Sequence, residues 1–85
     1  MPGGPTSPEG QPGLAKAVRE LRTKAELTQA ALAARADLPP TTIALIESAR
    51  HDPPWGDIRR IARALDVSLE ALSELAEQHE LEREV

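Results

Sequence analysis

The sequence predicts an all-α fold: one compact domain of five short helices, organised around two that meet at a tight corner. Three observations predict it. Residues 28–47, TQAALAARADLPPTTIALIE, place their apolar positions on two short helical faces with Asp37 between them. Apolar residues recur at spacings of three and four on either side, at Leu14, Ala17, Val18 and Leu21 before the corner and at Ile58, Ile61, Ala62 and Leu65 after it. The chain has no Phe or Tyr and one Trp, so its core must be built from Leu, Ile, Val and Ala. That suffices for a helical domain of about 60 residues, a size at which single domains fold alone.

Residues 1–13, MPGGPTSPEGQPG, are too rich in Pro and Gly to hold a helix or pack a core, and read as a disordered arm. Helix 1 is expected over residues 14–24, with Leu14, Ala17, Val18 and Leu21 inside and Lys16, Arg19 and Glu20 outside. Thr28 caps helix 2, which starts at Gln29; Ala30, Ala31, Ala33 and Ala34 flank Leu32 and keep the helix slim enough for another backbone to approach. Asp37 takes the turn, where it tolerates positive φ better than most residues. Pro40 sits at the first position of helix 3, where its missing N–H costs nothing, and Ile43 and Ile46 share its inner face. Residues 48–54 form a loop to helix 4, expected over 55–65 with Arg59, Arg60 and Arg63 outside and Trp55 at the edge of the core or in a subunit interface. Ser68 caps helix 5, which meets no stop signal before the chain ends. The domain proper ends near Leu72; residues 73–85 form an acidic helical extension, either a frayed tail or a short contact with a second copy.

Composition excludes several classes. Without cysteine there is no disulfide framework and no thiolate chemistry, which suits a reducing cytosol. No apolar run approaches the roughly 18 residues of a membrane span, so a soluble cytoplasmic protein is expected. His51 and His79 lack nucleophile or metal-ligand spacing and there is no Gly-rich phosphate loop, so neither an enzyme, a metal site nor a cofactor is expected. Charge is unevenly distributed: residues 14–65 carry a net +3, whereas the chain from Asp66 onward carries −6, within a total of −4. The acidic total therefore leaves nucleic-acid binding open.

The succession Leu14, Val18-Arg19-Glu20-Leu21-Arg22, Leu27-Thr28-Gln29, Leu32-Ala33, Thr42-Ile43, Ile46-Glu47, Pro53, Ile61-Ala62, Leu65-Asp66-Val67-Ser68-Leu69 and Leu72 resembles the lambda-repressor/Cro-like (Xre) helix-turn-helix family, in register over most of the chain. The resemblance implies a five-helix DNA-binding domain with the helix-turn-helix at helices 2 and 3, the third lying in the major groove. It also implies a structural ion pair between Arg22 and Glu47 that fixes helix 1 against the recognition helix. Thr28 and Gln29 match the start of helix 2, where Gln29 either contacts a DNA phosphate or decorates an exposed first turn. The base-facing positions fall on Pro39, Pro40, Thr41, Thr42 and Leu45, and Arg50 and His51 match loop positions that touch the phosphate backbone or are merely solvated. Glycine is usual in the family at the positions of Glu26, Asp37, Ala49 and Asp66; Ala49 should be strained there, so another turn geometry is expected after helix 3.

No Arg, Lys, Asn or Gln occurs between Leu38 and Glu47, although these are the side chains that read purines bidentately. Thr41 and Thr42 remain for hydrogen bonds, and Leu45 and the proline rings for thymine methyls. Two functions are compatible with this surface. One is a sequence-specific DNA-binding transcriptional regulator acting as a homodimer on a pseudo-palindromic site. The other is a protein-interaction module of the same fold, an antitoxin or partner-binding regulator, using the apolar Pro39, Pro40 and Leu45 surface.

Overall fold

The structure, a computed structural model, describes residues 10–83. Five helices follow one another: α1 (Pro12–Lys24), α2 (Gln29–Ala36), α3 (Pro40–Glu47), α4 (Trp55–Ala64) and α5 (Leu69–Arg83). The expected local signals operate at their ends. The Thr28 Oγ1 accepts the Ala31 N–H at 3.0 Å and the Ser68 Oγ accepts the Ala71 N–H at 2.9 Å, each satisfying an orphan amide of a first turn. Pro40 opens α3 and Pro12 opens α1.

Four helix ends share one device. Glu26, Asp37, Ala49 and Asp66 all have φ near +60°. In each case the next residue's N–H reaches back to the helix, as Arg50 does to the Leu45 carbonyl at 2.9 Å and Leu38 to the Ala33 carbonyl at 2.9 Å. This is the left-handed cap, built without a glycine. The different geometry expected at Ala49 is therefore corrected: with φ 58° it stays in the left-handed region, because the cap satisfies carbonyls of α3 that would otherwise be orphaned.

α1 packs on α3 and α5, α2 on α3 and α4, and α4 on α5. Leu14, Ala17, Val18, Leu32, Ala33, Ala36, Ile43, Ile46, Ile61, Ala62, Leu65 and Leu72 form the buried core. Ala33 and Ala36 on α2 have almost no exposed surface, which is how the slim helix lets α3 and α4 come close. Trp55 stands at the start of α4 as expected but is 62% exposed, so it does not seal the core.

Two boundaries differ from the expectation. α1 begins at Pro12, and Gly10 and Gly13 are buried, so the inner end of the expected arm belongs to the fold; residues 1–9 lie outside the described residues. At the other end, α5 is continuous to Arg83 and lies against α1 rather than projecting: the Gly13 N–H donates to the Glu80 Oε2 at 2.7 Å, the His79 Nε2 meets the Glu20 Oε1 at 2.9 Å, and Leu75 and Ala76 pack on the core. Residues 84–85 of the expected extension lie outside the described residues.

Candidate nucleic-acid interface

α3 has an inner and an outer face. Ile43, Ile46 and Glu47 are buried, which turns Thr41, Leu45 and Ser48 outward at positions i, i+4 and i+7. Leu45 is 41% exposed. Pro39 and Pro40 are exposed at the start of this face, and Thr42 is half-buried, its N–H donating to the Pro39 carbonyl at 3.0 Å. The stripe carries no charged side chain.

Behind it sits one buried carboxylate. The Glu47 side chain is 1% exposed and accepts from the Arg22 Nε at 2.6 Å on Oε2 and from a terminal Arg22 nitrogen at 3.0 Å on Oε1. Arg22 also donates to the Leu27 carbonyl at 2.8 Å, tying down the turn between α1 and α2. Its guanidinium pKa is raised above the ordinary arginine value, chiefly by the hydrogen bond to Glu47, against burial, which acts the other way. Arg22 therefore stays charged. The ion pair implied by the resemblance is formed, and it holds α1, α2 and α3 at one point because Gln29 joins it.

The Gln29 Nε2 donates to the Glu47 Oε1 at 3.0 Å. The side chain is half-buried, and this bond ties the first turn of α2 to the end of α3. Thr28 is exposed at the cap beside it, its oxygen already accepting from Ala31 while its hydroxyl proton remains available. On the far side of α3, Arg50 is exposed and makes no ion pair among the described residues, and His51 is half-buried.

Two residues of this corner escaped the sequence reading. Ser48 extends the outer stripe, and its place seven residues beyond Thr41 was a usable signal. Arg19 lies 3.8 Å from the Glu47 Oε1 and is 63% exposed, an extra cation at the edge of the same corner; its spacing of three from Arg22 was the signal. Among the described residues no His, Cys, Asp or Glu group is arranged to hold a metal ion, and no helix is long and apolar enough to cross a membrane.

A short outward helix, the capped start of a second helix beside it and the left-handed turn at Asp37 between them have the arrangement of a helix-turn-helix unit. The chain belongs to the helix-turn-helix domain family, whose profile matches residues 14–75. It is similar to the restriction-modification controller protein C.AhdI from Aeromonas hydrophila, at 27% identity over 73% of this chain and 94% of that one, with a TM-score of 0.71. It shares its fold with two further solved chains. One is the controller protein C.Esp1396I, seen as a tetramer in complex with its natural 35-base-pair operator (22% identity, 84% of this chain and 93% of that one, TM-score 0.77). The other is the clp gene regulator ClgR from Corynebacterium glutamicum (22% identity, 89% and 84%, TM-score 0.78). No curated protein sequence matches the chain. Family and fold are those of DNA-binding regulators rather than of enzymes.

Proposed function

We propose that this protein is a cytoplasmic, sequence-specific transcriptional regulator that binds double-stranded DNA as a homodimer on a pseudo-palindromic site, with α3 in the major groove. The observation that carries the reading is the outward stripe Thr41, Leu45 and Ser48, held against a buried ion pair and flanked by the start of α2 and by Arg50. The operator-bound tetramer of C.Esp1396I supports an oligomer as the acting form. Phosphates are met by Arg50, His51, Thr28 and the amides that open α2, with Gln29 bracing that turn from behind. Bases are met by the hydroxyls of Thr41 and Thr42 and by Leu45, Pro39 and Pro40 against thymine methyls. Such a surface favours A·T-rich half-sites about one helical turn apart.

Selection from a randomised duplex library at low salt, followed by salt titration of the enriched site, tests this. The expected result is a two-fold symmetric motif whose affinity falls steeply with salt. Thr41→Ala should weaken the preference within the motif, and Arg50→Ala should weaken binding to all sequences and lower the salt slope by about one. No enrichment and no salt-sensitive binding would overturn the reading, and would transfer the exposed Pro39, Pro40 and Leu45 surface to a protein partner.

A further inference from the structure

The loop between α3 and α4 carries Arg50 and His51, yet it is anchored from the opposite end of the chain. Gly10 is buried against Ala49: a Cβ built on Gly10 would lie 2.2 Å from the Ala49 carbonyl carbon and 2.3 Å from its oxygen. These are backbone atoms, which cannot swing aside as a side-chain end would. One residue on, the Gln11 Nε2 donates to the Asp52 Oδ1 at 2.6 Å. The two contacts bracket the loop, with Gly10 on residue 49, Gln11 on residue 52, and Arg50 and His51 between them. At its near end the loop leaves α3 through Ala49, held at φ 58°; at its far end Pro53 is buried. Gln11 is itself the N-cap of α1, so the loop is braced on a helix that packs along α5.

We propose that Gly10 and Gln11 are positioning residues for DNA binding: the leg preceding α1 clamps the α3–α4 loop and sets where Arg50 and His51 stand beside the recognition helix. The proposal rests on the reading that this loop meets phosphates. It explains why glycine stands at residue 10, since any side chain there drives the loop away from α1. It also assigns the Gln11–Asp52 pair, which joins two exposed side chains 41 residues apart, to loop registration rather than stability.

The test is a double-mutant cycle of Gln11→Ala and Asp52→Ala in the full chain, with Gly10→Ala and Arg50→Ala alongside. Binding is measured to a mixed-sequence duplex of about 30 base pairs, long enough for two half-sites one turn apart, across a salt series. Trp55 lines the same groove as Gln11 and Asp52, so its emission reports whether the clamp is closed without a label. Gln11→Ala should weaken low-salt binding several-fold in the wild-type background and have no effect in the Asp52→Ala background. The cycle removes the separate gain from deleting an acid near DNA. Gly10→Ala should weaken binding about tenfold and flatten the log–log salt slope by about one for each phosphate the loop no longer reaches, with helical circular dichroism retained. A merely structural role would change the melting temperature and leave the slope alone. Should Gly10→Ala fail to fold, the Gln11–Asp52 cycle still decides. If Arg50→Ala lowers the slope while the cycle is additive, the clamp is refuted and the loop's contact with phosphate stands; if Arg50→Ala leaves the slope unchanged, it is that contact which falls.

Discussion

Replacing Arg22 by Met removes the counter-charge of a carboxylate that has almost no water. In Arg22→Met the Glu47 side chain, 1% exposed, would keep one hydrogen bond from Gln29 at 3.0 Å and a distant, mostly solvated Arg19 at 3.8 Å. Breaking a buried pair from one side costs about 3–5 kcal/mol, and the surviving Gln29 bond puts this case near the lower end. A loss of about 3 kcal/mol is a large share of the roughly 4–13 kcal/mol that a chain of this size commands, and should lower its melting temperature by about 12–24 °C. Removing both charges in Arg22→Met/Glu47→Met should return stability to within about 1 kcal/mol of the wild type, because attraction and desolvation nearly cancel. Since the Arg22 pKa is raised in the folded state, its contribution is complete below the ordinary arginine value and is lost only as pH rises through the folded one. The single-mutant penalty should thus be the same at about pH 7 and about pH 9. Urea and thermal melts of the wild type, both single variants and the double variant measure all of this. A double variant as unstable as Arg22→Met, or a single-variant cost below about 1 kcal/mol, would refute the reasoning.

Three further outcomes are expected. Ala49→Gly should stabilise the fold by about 1 kcal/mol, raising the melting temperature by about 4–8 °C, because it relieves a β-carbon at φ 58°; an unchanged or lower midpoint would show that the cap carries no strain. Gly13→Ala should cost about 1–2 kcal/mol in denaturant titration although Ala is the better helix former, since its Cβ would sit 2.4 Å from the Ala76 carbonyl oxygen and force α5 off α1. Truncation after Leu72 should lower stability by about 2 kcal/mol or more, by removing the packing of Leu75 and Ala76 and the Glu80 and His79 contacts; an unchanged melt would return residues 73–85 to the status of a tail.

The parts of the fold legible in the sequence are those decided within one or two turns of helix. Thr28 and Ser68 cap, Pro40 starts α3, and Ile43 and Ile46 face inward because each depends on neighbours three or four residues away. The Arg22–Glu47 pair was reached through the family resemblance, and the structure adds Gln29 to it. Gln29 turned inward because its acceptor lies at the far end of another helix, 18 residues on, which no local pattern announces. The docking of α5 on α1 was hidden for the same reason: Gly13 and Glu80 are 67 residues apart, and α5 reads as an acidic helix with scattered Leu and Ala rather than as a clear stripe. Trp55 lines a groove with Leu14 and Leu72 yet stays largely exposed, because the aliphatic core beneath it is already filled.

The buried ion pair has a use beyond stability that follows from the rest of the composition. A core of Leu, Ile, Val and Ala tolerates repacking at constant volume, so on its own it sets the position of a helix more firmly than its rotation. The Glu47 hub adds three hydrogen bonds of fixed direction from two other helices, and direction is what an aliphatic core lacks. In the function proposed above, recognition depends on direction more than usual: long Arg or Gln side chains can bend to a base edge, whereas Thr41 and Leu45 are short and would reach a base only if α3 entered the groove at the right angle. The double variant Arg22→Met/Glu47→Met separates the two roles. It should melt near the wild type and yet bind its selected site at least tenfold more weakly, with little change in binding to mixed-sequence DNA, because phosphate contacts tolerate a rotation that base contacts do not. Wild-type discrimination in a stable double variant would show that the aliphatic core alone aims the recognition helix.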